Sequence, residues 1–167
     1  MTTMPAASAA RQSADVVPSN PPAGVHPGRW RVLLAEDDRE MRELLAEHLT
    51  ADGYEVLEAC DGTELIRRLH EVAMQPQGRA SLALVISDVR MPHLDGLDVL
   101  AALRCAQWYT PVILITAFGD DAVHRDAHDF GAIAVLDKPF SLAKLQELVH
   151  QIAPPSPPTG TPGPAAA

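Results

Sequence analysis

Aromatic residues make up only 4% of this chain of 167 residues, so any core must be aliphatic, built from Leu, Val, Ile and Ala. Lysine and cysteine occur only twice each, as Lys138, Lys144, Cys60 and Cys105, with no CxxC. Two cysteines make no disulfide framework. Both read as small, reduced apolar residues of the kind usual inside cells. No apolar run approaches the roughly 18 residues of a membrane span. The N-terminus also lacks an apolar stretch of signal-peptide length. These absences predict a cytoplasmic location. Positive charge is short as well, for the formal net charge is −9. The two ends hold only Arg11, Asp15 and Arg29, which leaves the middle at −10. A domain that acidic repels a phosphate backbone, so no nucleic-acid binding is expected. Docking on an anionic membrane surface is disfavoured for the same reason.

What is present is enough apolar material for a core, 47% of residues, in a length that suits one domain with flexible ends. Proline marks the boundaries. Five of the 15 prolines lie in residues 1–29 and six in 154–167, where Ala, Ser, Thr and Gly are also frequent. Such segments bury too little apolar surface to offset their ordering entropy, so both tails are expected to be disordered. The folded domain is expected over 30–153, with no internal repeat and no output domain after it.

Within that span short apolar runs alternate with helical patterns. The runs are Val32–Ala35, Leu82–Ile86, Val112–Ile115 and Ile133–Leu136. Each is continuous, which is how strands covered on both faces read. Tyr54–Ala59 alternates imperfectly, as an edge strand does. Between them, Met41, Leu44, Leu45, His48 and Leu49 keep helical spacing, as do Leu65, Ile66 and Leu69, then Leu97, Leu100 and Leu103, then Leu142, Leu145, Leu148 and Val149. Asp120–Phe130 is the weakest helical pattern, with few apolar positions. Alternation of this kind predicts a parallel sheet with helices on both faces, a doubly wound α/β domain.

Ligands of such sheets collect at the carboxyl ends of the strands. Glu36, Asp37 and Asp38 follow the first run, Asp88 the third strand, Thr116 the fourth, and Lys138 with Pro139 the fifth. Clustered carboxylates repel one another unless a cation sits among them, and hard oxygen donors suit Mg²⁺. A cation there would keep Asp88 ionised, hence nucleophilic, and would neutralise an incoming phosphoryl group. Lys138 would pair with a phosphoryl oxygen as a point charge, and Thr116 would donate to another. In-line attack by Asp88 on a phosphoryl donor would give an acyl phosphate. Each residue also has a plainer reading. Asp38 suits the N-cap of the helix over Arg39–Thr50. Glu36 and Asp37 suit a solvated loop, Asp88 a capped turn before Met91-Pro92, Thr116 a strand end and Lys138 the surface. Four strand ends converging on one chemistry outweigh these taken together.

The chain from about 31 to 152 resembles the receiver domain of bacterial two-component response regulators. The resemblance is carried by Val32-Leu33-Leu34-Ala35-Glu36-Asp37-Asp38, Ser87-Asp88-Val89-Arg90-Met91-Pro92-His93-Leu94-Asp95-Gly96, Ile115-Thr116-Ala117 and Leu136-Asp137-Lys138-Pro139-Phe140. It implies a flavodoxin-like sheet of five parallel strands in the order 2-1-3-4-5. It implies Asp88 as phosphoacceptor, Thr116 as switch hydroxyl and Lys138 as the phosphate-pairing lysine. Glu36, Asp37, Asp88 and the backbone carbonyl of Arg90 would hold Mg²⁺, with Asp37 a direct ligand. It also implies a Lys138–Pro139 bond that is often cis. The function implied is a stand-alone response regulator. It would take its phosphoryl group from a histidine kinase or a phosphotransfer protein, then contact a downstream protein or pass the group on in a relay. It would catalyse nothing beyond its own phosphorylation and dephosphorylation.

Two positions depart from the family. Val135 stands where an aromatic residue usually precedes the lysine by three, and a β-branched side chain stiff at χ1 offers little swing. The change on phosphorylation is therefore expected in Ala117–Asp120 and the helix after it, with Gly119 supplying backbone freedom and Phe118 a candidate for the missing ring. Residues Met74–Ser81 make a longer loop than the family has, at the sheet edge away from the site. His124 and His128 stand i, i+4, but a solvated face reads better than a metal pair because no third ligand has suitable spacing. His48 reads as a packed histidine. The rival functions are a phosphate-independent binding module, which Val135 favours, and a haloacid-dehalogenase-like phosphatase with an Asp nucleophile. The latter lacks its second Asp in Asp88-Val89-Arg90.

Overall fold

The computed structural model describes residues 29–117, 119 and 121–155. The expected tails over 1–29 and 154–167 lie outside the described residues except at 29, 154 and 155. In chain order the elements are β1 (Arg31–Ala35), α1 (Arg39–Ala51), β2 (Glu55–Ala59), α2 (Gly62–Met74), α3 (Gly78–Ser81), β3 (Leu82–Asp88), α4 (Gly96–Cys105), β4 (Val112–Thr116), α5 (Asp121–Asp129), β5 (Ala134–Asp137) and α6 (Leu142–Ile152). All strand pairs are parallel, in the order β2-β1-β3-β4-β5.

The continuous apolar runs fill two cores because successive strand residues face opposite ways. Leu33, Ala35, Val85 and Leu114 pack with α2 and α4 through Leu65, Leu69, Val99, Leu100 and Leu103. Val32, Leu34, Leu84, Ile86, Ile113 and Ile115 pack with α1 and α6 through Leu45, Leu49, Leu145 and Val149. Side chains on the helices cap them locally. Asp38 accepts from the Met41 amide at the start of α1, Asp61 from Glu64 in α2, Asp95 from Asp98 in α4 and Ser141 from Lys144 in α6.

Several expectations are revised. Leu44 is 48% exposed and stands outside the α1 stripe, while His48 is half-buried on it. Ile133 is exposed and precedes β5, donating its amide to the Val112 carbonyl across the strand edge. Tyr54 precedes β2, its amide donating to the Leu49 carbonyl at 3.2 Å. The expected loop over 74–81 contains α3, because Gly78 folds back onto the end of α2, where a Cβ would stand 1.7 Å from the Val72 carbonyl oxygen. Arg79 of α3 then covers the Trp108 ring at 4.8 Å. Cys60 and Cys105 are free, as expected, but both are exposed, lying just past β2 and at the end of α4. No helix among the described residues is long and apolar enough to cross a membrane.

Tyr54 links the ends of α1 and α6. Its buried hydroxyl donates to the Ala153 carbonyl at 2.5 Å, and burial together with the Asp52 charge pushes the phenol up to about 12. Tyr54→Phe removes the donor and keeps the ring. It is expected to cost about 1–2 kcal/mol, seen as a lower urea midpoint at unchanged slope. Because the folded-state value is raised, the wild-type contribution is complete below pH 10 and is lost as pH rises through about 12.

Candidate functional site at the carboxyl edge of the sheet

The central strands end together, and the residues that follow them converge. Glu36 continues β1 by one residue, its amide donating to the Ala59 carbonyl at 3.2 Å. Arg42 from α1 donates to the Glu36 carbonyl at 2.7 Å, which fixes the turn into the helix. The Glu36 side chain is 1% exposed. Asp37 beside it faces solvent, and Asp38 turns away to cap α1. Asp88 is the last residue of β3 and is buried. One carboxylate oxygen accepts the Arg90 amide at 2.8 Å. Behind it, the start of α4 approaches so closely that a Cβ on Gly96 would stand 2.4 Å from the Asp88 carbonyl oxygen. Only glycine allows that approach.

Thr116 ends β4 fully buried, and its carbonyl accepts the Lys138 amide at 2.7 Å. That bond carries Lys138 back over the site. The ammonium donates to Glu36 Oε2 at 2.8 Å and to Asp88 Oδ2 at 2.5 Å. The Lys138–Pro139 peptide is cis. One cation thus bridges two buried carboxylates supplied by different strands.

Electrostatics follow from this crowding. Burial pushes the Glu36 carboxyl above its ordinary value; the Lys138 hydrogen bond pulls it back, and the Asp88 charge raises it again, leaving it raised. Burial also works against the Lys138 ammonium, but its bonds to Asp88 and Glu36 outweigh this and hold it above the ordinary lysine value. Glu36, Asp37 and Asp88 each offer a carboxylate oxygen, all within 4.8 Å of one another. Three hard anionic donors at that spacing, one of them open to water, fit a small divalent cation such as Mg²⁺.

Residues 32–150 match the response regulator receiver domain. The chain belongs to that family. Among its relatives, the transcriptional regulatory protein PdtaR of Mycobacterium tuberculosis is 40% identical over 118 residues, covering 69% of this chain and 52% of PdtaR. The response regulator protein FleR of Pseudomonas aeruginosa is 40% identical over 125 residues, covering 74% of this chain and 24% of FleR. The chain therefore spans about half or less of these relatives' lengths. Among solved structures, the chemotaxis protein CheY4 of Vibrio cholerae aligns with a TM-score of 0.64 at 26% identity, over 74% of this chain and 98% of that one. A receiver domain protein from Clostridium thermocellum aligns with a TM-score of 0.66 at 28% identity, over 74% and 93%. This receiver domain thus has the flavodoxin-like topology expected of it.

The structure also joins two groups at this edge that sequence reading leaves apart. His124 Nε2 lies 3.0 Å from Asp137 Oδ1, joining α5 to β5. His128, one turn on, is exposed and lies 3.6 Å from Asp129. Asp137 reads in the sequence only as a member of the Leu136–Phe140 motif, because a helix-to-strand pair 13 residues apart leaves no periodic signal. Gly119 needs the space that a missing Cβ leaves: a Cβ there would stand 2.2 Å from Asp137 Oδ1 and 2.6 Å from His124 Nε2. Val135 is half-buried against the core that α2 and α4 share. Phe118 lies outside the described residues.

Proposed function

We propose that this receiver domain accepts a phosphoryl group on Asp88, in a Mg²⁺-dependent reaction, from a histidine kinase or a phosphotransfer protein. It then signals by protein contact or passes the group on. The observation that carries this reading is the Lys138 ammonium held between the Glu36 and Asp88 carboxylates at the mouth of the sheet.

Asp88 supplies the nucleophile. A carboxylate oxygen attacks phosphorus in line, the bond to the donor's imidazole nitrogen breaks, and the electron pair leaves with that nitrogen. The Arg90 amide, already on Oδ1, holds the carboxylate in one orientation. Lys138 is placed to exchange its bond to Asp88 for one to a phosphoryl oxygen, and the Thr116 hydroxyl is proposed to donate to another, as a charge-assisted bond. Glu36, Asp37 and Asp88, with the Arg90 carbonyl, would hold Mg²⁺, which when bound neutralises carboxylate and phosphoryl charge. No bond in this scheme requires the chain to act on a second substrate, so it is a switch rather than an enzyme.

Mg²⁺ is expected to raise the melting temperature by mass action, by about 1.4 kcal/mol of stability at a tenfold excess over Kd. The sign with pH follows from Glu36. Its raised folded-state value means that metal-free stability from this group is complete below pH 4.5 and is lost as pH rises through the folded value. Metal needs the ionised form, so the Mg²⁺ shift should be larger at pH 7.5 than at pH 5. Thermal melts of wild type and Asp37→Ala at both pH values check this. Equal shifts in the two proteins would remove the proposed metal site.

A further inference from the structure

Gly119, between Thr116 and α5, lies against two side chains that the phosphoacceptor scheme does not use. A Cβ on Gly119 would stand less than 3.0 Å from three groups at once: Asp137 Oδ1, His124 Nε2 and the Thr116 methyl carbon. His124 belongs to α5 and Asp137 ends β5, in register with Thr116 on β4. The residue after Asp137 is Lys138, whose amide holds the Thr116 carbonyl and whose ammonium holds Asp88 and Glu36. The His124–Asp137 pair therefore closes a ring of contacts that passes through Gly119 and Thr116 and returns through Lys138.

We propose that His124 and Asp137 are a positioning pair that pins α5 to the end of β5 across Gly119, is strengthened when His124 is protonated, and is released when Thr116 moves toward a phosphoryl group on Asp88. The second half rests on the phosphoacceptor reading of Asp88. The pair carries the part that Val135 cannot, since a valine has no ring to follow the threonine. Its own chemistry suits a switch. The side chains are 38% and 59% exposed, so the contact is weak enough to break. Neutral imidazole gives a plain hydrogen bond, whereas imidazolium gives a charge-assisted one. Asp137 is the acidic group that meets His124 from β5, while Asp121, Arg125 and His128 accompany it on the exposed side of α5. The Lys138 charge is directed away, into the carboxylates.

Backbone hydrogen exchange on the full chain tests the pair without any phosphoryl group. Protection, corrected for intrinsic rates, is read at Gly119 and residues 121–124. Wild type should be about two- to fivefold more protected at pH 6 than at pH 8, the range open to an exposed pair. His124→Ala and Asp137→Asn should lose both that protection and its pH dependence. Gly119→Ala, which forces the two side chains apart, should do the same, while His128→Ala should keep both. Unchanged protection in His124→Ala, or a pH dependence that survives in it, overturns the pair. Adding beryllofluoride with Mg²⁺ then tests the coupling, with fluorine resonance reporting binding. The wild-type pH dependence should vanish once the mimic is bound. If it persists with the mimic bound, the coupling is wrong. If the mimic does not bind, the phosphoacceptor reading fails and the coupling with it, and the first measurement alone decides the pair.

Discussion

Lys138→Met is expected to destabilise the metal-free protein by about 2–3 kcal/mol, between the cost of losing a surface pair and that of breaking a fully buried one. The ammonium is 20% exposed, but the carboxylates it bridges are only 1% and 7% exposed, so its removal leaves two poorly solvated anions facing each other. The pH dependence identifies the cause. Glu36 is already raised, and losing its cation raises it further, so protonation relieves the variant. The deficit should therefore shrink at pH 5 relative to pH 7.5. Millimolar Mg²⁺ should recover part of it, since a cation among Glu36, Asp37 and Asp88 does electrostatically what the ammonium did. Lys144→Met is the control. It removes the chain's other lysine from an exposed position on α6, and should change stability by no more than about 0.5 kcal/mol. Urea titrations of both variants at the two pH values decide the matter. A Lys138→Met deficit of the same size at both pH values would mean that the ammonium's role is packing rather than charge.

Much of this was legible in the sequence, for a physical reason. Strands covered on both faces must be apolar throughout, so Val32–Ala35, Leu82–Ile86 and Val112–Ile115 announced themselves, and the residues at their carboxyl ends marked the rim where Glu36, Asp88, Thr116 and Lys138 meet. Asp38 as a cap was equally readable, because capping is local. What escaped is what depends on approach rather than pattern. Comparison with the family marked 74–81 as an added loop, but the missing Cβ at Gly78 lets it fold into α3. Cys60 and Cys105 looked apolar by type, yet their places at the ends of elements expose them. Ile133 reads as strand until the start of pairing at Ala134 leaves it outside. The His124–Asp137 contact joins two elements with no shared periodicity, so only the fold reveals it.

Every step proposed above depends on Asp88 as the acceptor. The full chain is incubated with acetyl phosphate and Mg²⁺, its intact mass is measured, and the label is mapped by borohydride trapping and fragment-ion mass spectrometry. That assignment predicts one phosphoryl group per chain, on Asp88. It also predicts labelling reduced at least a hundredfold in Asp88→Asn, which keeps the shape but removes the carboxylate nucleophile, a loss of roughly 2.7 kcal/mol or more in transition-state terms. Chelation of Mg²⁺ should suppress labelling of wild type to a similar degree. Equal labelling of Asp88→Asn, or a label mapped to Asp37, Asp95 or any other carboxylate in the wild-type chain, would contradict it.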